Sequence, residues 1–392
     1  MTRRWVVVAA LFAVTSSVST SLTAFGVFLP ELSQTFGWSR GGVSVALTIN
    51  LIVGGLAAFP VGWRADRHGP RGVLALTVLT GAVGFALSSG ISRLWHFYLS
   101  YGLLVGLGVS SIYVLAAATV SRWFHERRGL ALAVVLSGFN LGWLVGGPLA
   151  AYLIGVGGWR FAYLAFAVLI AGVGVPASLC VRYPPGPGAA RPGAAGASDA
   201  LGDRRLWYLV GAWALLGLVF MMVAVHSVPF ARDRGFPLER ASLVLTAFGV
   251  GAAIGRLLAG VASDRIGAGP TMRACVLIQG IALVALVLQP PGWALPFILL
   301  AFGVGASGTD NTFVKVVPDV FGLAALATIM SVLGMGWRSG AGLGPAAAGF
   351  VYDLTHSYTA SFAGGLAALT VGWTLFRLGS ARPLHGRTPG NS

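Results

Sequence analysis

Three ionisable side chains lie within long apolar stretches of this 392-residue sequence, namely Arg256, Asp310 and Arg338. A charged group is expensive inside a bilayer, so each is expected to face a protein interior or a watery cavity and to have a function. Two arginines suit the binding of an organic anion, and a nearby carboxylate can either pair with them or take up a proton. With Asp310 ionised the three groups carry one net positive charge, which suits a monoanion; with Asp310 protonated they carry two, which suits a dianion.

Each of these residues also has a simpler interpretation. Arg256 could snorkel or be locked to a carboxylate for packing, although it is predicted about two turns from Asp264, too deep to snorkel easily. Arg338 could be an interhelix hydrogen-bond donor. Asp310 could belong to a permanent ion pair instead of titrating. We expect Arg256 to bind substrate with help from Arg338, and both interpretations of Asp310 stay open.

Three further polar residues are candidates for the same site. Asn140 lies 198 positions before Arg338, an offset that relates two repeats described below. Tyr113 could donate a hydrogen bond to a carboxylate, or it could simply pack. His226 could titrate near neutral pH, which makes it a second candidate for proton coupling after Asp310, or it could make a plain polar contact.

The elements that would position these side chains are membrane-spanning helices. Hydrophobic residues make up 56% of the chain and charged residues only 9%, against roughly 25% charged in soluble domains. About 20 apolar residues cross the hydrocarbon core. The sequence therefore predicts an all-α integral membrane protein with twelve spans, at 5–29, 42–63, 72–92, 95–121, 129–155, 159–182, 206–230, 241–263, 271–289, 293–316, 324–351 and 359–379. The first is too long and too poorly terminated for a cleaved signal peptide.

The net charge of +15 does not indicate a nucleic-acid partner, because the basic residues form short clusters between apolar spans. If the N-terminus is cytoplasmic, only six of the 26 Lys and Arg residues fall on the other side of the membrane: Arg40, Arg93, Arg160, Arg232, Arg234 and Arg240. Two lie inside spans and the remaining eighteen are cytoplasmic. This asymmetry predicts a multi-pass protein of the cell inner membrane with both termini in the cytoplasm.

Two landmarks repeat at the same offset of 198 residues. The pattern G-x-x-x-D-R-x-G occurs from Gly62 to Gly69 and again from Gly260 to Gly267. Glycines spaced by four, which let helix backbones touch, occur at 138, 142 and 146 and again at 336, 340 and 344. We therefore predict a six-helix bundle over 1–182, a cytoplasmic linker over 183–205, a second bundle over 206–380 and a disordered tail over 381–392. Gating contacts are expected from Gly62, Asp66, Arg67, Arg71, Asp264 and Arg265.

Twelve spans, a central linker and GWRADRHGPR after the second span resemble the major facilitator superfamily, over essentially the whole chain. Within it, WFHERRGLALAVVLSGFNLG (123–142) is similar to a signature of monocarboxylate porters, and FGWSR (36–40) fits bacterial members. The resemblance implies an anion-binding arginine in the eighth span, where Arg256 lies. The sister oxalate–formate exchangers also use a basic residue in the eleventh span, where Arg338 lies. The chain departs from animal members at Ala252, where they have Asp.

No set of residues typical of an enzyme or of ATP hydrolysis occurs in the sequence. There is no H-E-x-x-H, no C-x-x-C and no G-x-x-x-x-G-K-[ST], and two cysteines give no disulfide framework. We expect neither a cofactor nor a metal, and energy must come from an ion or substrate gradient. The prediction is a monomeric secondary transporter for a small carboxylate, coupled to protons. The alternatives are an anion exchanger of the oxalate–formate type, a proton-driven drug exporter and, more remotely, a membrane sensor.

Overall fold

The computed structural model describes residues 2–110, 112–124, 128–184, 201–321 and 326–380. They form twelve helices and no strand, which confirms the predicted all-α fold class. The helices are α1 (Thr2–Thr23 and Phe25–Phe36), α2 (Arg40–His68), α3 (Pro70–Ser88), α4 (Leu94 to Trp123, in segments), α5 (128–157), α6 (159–179), α7 (Arg204–Arg232), α8 (Leu238–Arg265), α9 (Ala268–Val287), α10 (Leu295–Phe321), α11 (Leu326–Thr355) and α12 (Thr359–Ser380).

Nine helical stretches of the described chain are long and apolar enough to cross a membrane. One of them runs for 50 residues, from Leu130 to Leu179, far more than the ~20 residues that one crossing needs. It turns back at Gly158, whose φ of 77° is left-handed, and so it contains both α5 and α6. The helix α4 is irregular because a π-helical segment, Tyr98–Val105, interrupts it.

Helices α1–α6 are called the first half and α7–α12 the second half. The face where α6 ends and α7 begins is called the linker face, and the face where α1 ends and α2 begins is called the opposite face. Most of the predicted linker (185–200) and the predicted tail (381–392) lie outside the described residues, as do 125–127 of the 123–142 signature. The division into two bundles therefore stays a prediction.

The two glycine series do bring helices into close contact, as predicted. Gly138, Gly142 and Gly146 of α5 lie against α1, where an added Cβ would come within 3.0 Å of the neighbouring atoms. Their counterparts at 336, 340 and 344 lie in the same way against backbone carbonyls of α7. Thus α5 packs on α1 as α11 packs on α7, which is the relation expected of parallel repeats.

The hydroxyl-rich face of α1 contributes to this packing. Thr15 donates to the carbonyl of Val135 at 2.9 Å, and Thr23 donates to the carbonyl of Gly142 at 2.7 Å. These bonds give each hydroxyl an acceptor on α5, which a polar group within a membrane protein needs. The hydroxyls of Thr15 and Thr23 therefore hold the first half together.

Candidate functional site

Arg256 lies on the face of α8 that points into the molecule. With 3.6 residues per turn it shares a stripe with Ala252 and Ala259, which are 6% and 3% exposed. Leu257 and Leu258, 73% and 59% exposed, lie on other faces of the helix. Arg256 is nevertheless exposed itself. Arg256 is therefore accessible to solvent beside two buried alanines of its own stripe.

Asp310 of α10 lies at the same depth as Arg256. Its carboxylate accepts a hydrogen bond of 3.1 Å from the indole N–H of Trp213, on α7. Its neighbour Asn311 donates to the backbone carbonyl of Arg256 at 3.3 Å. The guanidinium of Arg256 and this carboxylate form no salt bridge within 4.0 Å. The cation is thus close to an anion without being locked to it.

Arg338 extends from α11 across to the first half. An added Cβ on Gly54 of α2 would lie 3.2 Å from its Nη1, and one on Gly55 would lie 3.2 Å from its Cδ. Two adjacent glycines therefore leave the groove in which this side chain lies. Within the described chain the guanidinium has neither a salt bridge nor a hydrogen bond to protein. Its simpler role as an interhelix hydrogen-bond donor is therefore not seen in the described residues.

Asn140 lies on the face of α5 that turns toward α8. One turn away, Trp143 packs against the backbone of α8. An added Cβ on Gly249 would lie 2.9 Å from the carbonyl carbon of Trp143. Asn140 is half-buried just beyond this contact, on the side of the linker face. Tyr113 of α4 is 53% exposed although Ala116, on the same stripe, is fully buried. Neither polar side chain has a hydrogen-bond partner in the described chain.

His226 is fully buried in α7, away from these residues, and its two ring nitrogens have different partners. Nε2 lies 2.8 Å from the carbonyl oxygen of Pro345, so it must donate. Nδ1 lies 2.9 Å from the hydroxyl of Tyr358. That hydroxyl also accepts from Arg40 Nη1 at 2.8 Å, and it can donate its own proton to Nδ1 when the imidazole is neutral. His226 thus belongs to a chain of hydrogen bonds that ends on Arg40 of α2.

Arg40 is the centre of a set of contacts that joins the halves at the opposite face. Its guanidinium donates to both carboxylate oxygens of Asp233, at 2.8 and 2.6 Å. Its backbone N–H and that of Gly41 each donate to Asp353 at 2.8 Å, so a carboxylate of α11 caps the N-terminus of α2. A weaker pair, Glu31 with Arg232 at 4.0 Å, also crosses between the halves here. We call these residues the Arg40 gate.

The contacts between halves continue inward from the Arg40 gate and then stop. Along α2 and α11 they run from Gly41 to the groove of Arg338, a rise of about 20 Å. Along α8 they run from the opposite face to Gly249, about 16 Å. Arg256 lies seven residues further along α8, about 10 Å nearer the linker face. The halves are therefore closed at the opposite face, and Arg256 and Asn140 lie beyond the closure.

At the linker face, the ion pairs of the described residues stay within one half. Asp66 pairs with Arg122 at 2.9 Å, and Asp264 pairs with Lys315. These pairs join equivalent helices, α2 to α4 and α8 to α10. Arg67 stacks on the ring of Trp63 at 4.0 Å. None of these contacts crosses between the halves, so the described residues show no charge contact across this face in this conformation.

The rest of the duplicated pattern agrees with this arrangement. Arg71 and Arg265 are exposed at the linker face, and Gly62 is half-buried. Gly69 and Gly267 directly precede α3 and α9 and have nearly the same backbone angles, φ of 84° and 88° with ψ of 159° and 160°. This region is open essentially only to glycine. The last glycine of each pattern is thus required by the backbone conformation of the turn. This requirement is independent of any gating role of the aspartate and arginines.

The sequence does not predict the Arg40 gate, and of the side chains connected to it only His226 is a candidate from the sequence. Arg40 itself is expected only as one of the six charges on the far side of the membrane. A signal was present, because acidic residues are rare in this chain and Asp233 and Asp353 both lie at span ends on the same predicted side as Arg40. The hydrogen bond from Trp213 to Asp310 had no such signal, since it joins spans seven and ten through side chains alone.

Comparisons with known proteins agree with this architecture. The model of the Major Facilitator Superfamily matches residues 11–241 and 227–391. The chain is 30% identical over 375 residues to monocarboxylate transporter 11 of Homo sapiens, covering 91% of this chain and 79% of that protein. It is 29% identical to monocarboxylate transporter 13 of Bos taurus, covering 94% and 87%. It is 25% identical to the MFS-type transporter YcxA of Bacillus subtilis (strain 168), covering 91% and 90%.

Solved structures share the fold at low sequence identity. A bacterial homologue of the human lysosomal transporter Spinster superposes with a TM-score of 0.80 at 16% identity, covering 97% of each chain. A variant of the nucleoside transporter NupG superposes with a TM-score of 0.78 at 14% identity, covering 96% and 99%. Because the family model spans the chain and the helices follow the same plan, this protein is a transporter of the major facilitator superfamily, related within it to proteins named monocarboxylate transporters.

Proposed function

We propose that this chain moves a small organic anion, most simply a monocarboxylate together with a proton, by alternating access. The observation that carries the proposal is Arg256, an exposed cation on the stripe of α8 that also holds buried Ala252 and Ala259, with no salt bridge in the described chain. A cation held at membrane depth without a fixed partner is stabilised when an anion binds. The names of the relatives support a carboxylate as that anion.

In this proposal the other polar candidates face the same anion. Arg338 lies deeper, at the end of the α2–α11 contact, and supplies a second positive charge. Asn140 and Tyr113 come from the first half and offer uncharged donors. A carboxylate that bridges the two halves at this depth would meet Arg256 on one side and neutral donors on the other, which is the arrangement expected of a site between two repeats.

Asp310 is the proton carrier in this proposal. Its carboxylate lies near Arg256 without forming a salt bridge with it, so it competes with a bound anion for the same positive charge. Protonation of Asp310 removes that competition and strengthens anion binding, which couples the two movements. His226 is the second candidate, but its hydrogen bonds connect it to the Arg40 gate instead of to Arg256. A proton on His226 would affect the hydrogen bonds of the Arg40 gate and would not change the charge near Arg256.

An anion exchanger of the oxalate–formate type is the second candidate function, and unpaired Arg338 favours it. Two cations facing one space suit a dianion when Asp310 is protonated. Counterflow of anions with no dependence on a pH gradient would support exchange over symport. A drug exporter would instead tolerate the loss of Arg256, because a lipophilic cargo does not need its charge.

The test is uptake of radiolabelled monocarboxylates into proteoliposomes, with and without a pH gradient. Arg256→Gln should abolish uptake, while Arg240→Gln, an exposed arginine at the far end of the same helix, should not. Asp310→Asn should keep anion exchange but lose accumulation driven by the gradient, and Asp319→Asn on the same helix is its matched control. Unchanged uptake by Arg256→Gln would remove the anion site from α8.

The linker face is cytoplasmic in this proposal, with the protein a monomer in the cell inner membrane. Cys180 is exposed at the end of α6, whereas Cys275 is buried. A membrane-impermeant maleimide should therefore label Cys180 in inverted vesicles and not in intact cells. Labelling in intact cells would reverse the orientation, and a dimer in light scattering of the purified protein would contradict the monomer.

A further inference from the structure

A groove runs between α9 and α12 on the outer surface of the second half, away from the candidate site. It encloses about 520 Å³ and is lined on α9 by Leu277, Gly280 and Val284, and on α12 by Leu366 and Trp373. Leu277 is 65% exposed and Val284 is 42% exposed. In a membrane protein, apolar side chains this exposed on an outer face contact lipid.

The groove has a charged end. Arg273 lines it and lies on the stripe of α9 that continues through 277, 280 and 284. On α12, Arg377 lies one turn beyond Trp373 on the same stripe. Because the two helices are antiparallel, both arginines lie at the linker face. Both are exposed, and neither has an ion pair in the described chain.

The length of the groove matches one leaflet. From Arg273 to Val284 is eleven residues, a rise of about 16 Å. From Leu366 to Arg377 is also eleven residues and gives the same rise. Half of a typical hydrocarbon core is about 15 Å. An apolar channel of this depth fits an acyl chain, and the two guanidinium groups then lie at the level of the headgroup.

We infer that this groove binds an anionic phospholipid of the leaflet at the linker face, with its phosphate between Arg273 and Arg377. Charge complementarity selects this occupant, because neither α9 nor α12 contains an acidic residue to balance the two cations. Basic pockets between transmembrane helices recognise anionic headgroups in this way. Trp373 lies at the boundary between the two environments, where its amphipathic ring is favoured.

The experiment is native mass spectrometry of the purified full-length protein, titrated with phosphatidylglycerol or with phosphatidylcholine of the same acyl chains. Wild type should retain one phosphatidylglycerol more strongly than phosphatidylcholine. Arg273→Gln and Arg377→Gln should each weaken phosphatidylglycerol binding about fivefold, the change that corresponds to ~1 kcal/mol per basic residue near a membrane surface. Arg182→Gln, which removes an exposed arginine of the same face outside the groove, should have no effect.

A second pair of variants tests the apolar channel. An added Cβ at Gly280 would meet Leu366 at 3.9 Å and Leu369 at 4.0 Å, so Gly280→Leu fills the groove without a clash at its own backbone. It should lose both lipids. Gly364 has nothing within 4 Å of an added Cβ, and Gly364→Leu should bind as wild type does. Melting temperatures within a few degrees of wild type exclude misfolding.

Three outcomes would overturn the inference. Equal retention of the two lipids would show that the arginines do not select charge. Lipid binding unchanged in Gly280→Leu would place the lipid elsewhere. A dimer that Gly280→Leu dissolves, and that the arginine variants leave intact, would assign this face to a second copy of the chain. None of these results depends on which anion the protein transports.

Discussion

Replacing Arg40 by Gln should open the opposite face of the molecule. The guanidinium donates two hydrogen bonds to Asp233 and one to Tyr358, and it lies 3.9 Å from the ring centroid of Tyr352. All three partners belong to the second half. Every one of these contacts must break before the halves can separate here, so the substitution weakens the closed arrangement and leaves an open one unaffected.

The size of the effect follows from the exposure of the pair. The side chains of Arg40 and Asp233 are 14% and 31% exposed. Breaking a fully buried pair costs about 3–5 kcal/mol, and an exposed pair is worth at most about 1 kcal/mol. An intermediate cost of about 2–3 kcal/mol is expected here. Each 1.4 kcal/mol is a factor of ten, so the open population should rise roughly 30- to 150-fold.

Pulsed electron paramagnetic resonance can measure this change directly. Spin labels at Thr35 and Leu354 would report the distance between the halves, since both residues are exposed near the opposite face. Cys180 and Cys275 must first be replaced by Ser so that only these positions carry labels. Arg40→Gln should add a population with a longer distance that is absent or minor in the parent protein.

The matched control is Arg232→Gln. Arg232 crosses to Glu31 at the same face, but their closest approach is 4.0 Å, so its loss should shift the population by less than about fivefold, or 1 kcal/mol. If Arg40→Gln and Arg232→Gln gave the same distance distribution as the parent, the Arg40 gate would not hold the closed state, and the closure would have to be attributed to helix packing.

Two further predictions concern glycines. Gly55→Ala should displace the side chain of Arg338, because the new Cβ would lie 3.2 Å from Cδ and the side chain must move by a few tenths of an ångström. The KM for the anion should then rise up to about fivefold, or 1 kcal/mol, and an unchanged KM would separate Arg338 from substrate binding. Gly340→Ala should destabilise the protein by about 2–3 kcal/mol through overpacking against the carbonyl of Ala214. At Gly334 an added Cβ would meet nothing within 4 Å, so Gly334→Ala should be neutral or slightly stabilising. Equal melting temperatures of Gly340→Ala and Gly334→Ala in detergent would refute the predicted difference in stability.

The parts of the fold that repeat along the chain could be predicted from the sequence. Spans follow from about 20 apolar residues, and the glycines at 138, 142 and 146 predicted a close contact because only small residues let helices touch. The sequence did not show which helix each series meets. Partner choice depends on the packing of the whole bundle, which sets α5 against α1 and α11 against α7.

The candidate site was predictable only in part, for a related reason. Arg256, Asp310 and Arg338 stand out because a charge inside an apolar span is costly wherever it points. The direction of each side chain is a property of packing. Arg338 lies in a groove left by Gly54 and Gly55, and nothing in its own sequence neighbourhood indicates α2. The Arg40 gate was missed because charges at span ends are common and only tertiary contact makes this one special.

The three charges of the candidate site all belong to the second half, whereas Asn140 and Tyr113 of the first half are neutral. On the proposed function this asymmetry has a mechanical consequence. A bound anion can keep its charged contacts with the second half throughout the cycle while the first half moves relative to it. No charged contact to the anion then has to pass from one half to the other. The free-energy barrier to reorientation should therefore be set by the helix surfaces that separate and come together.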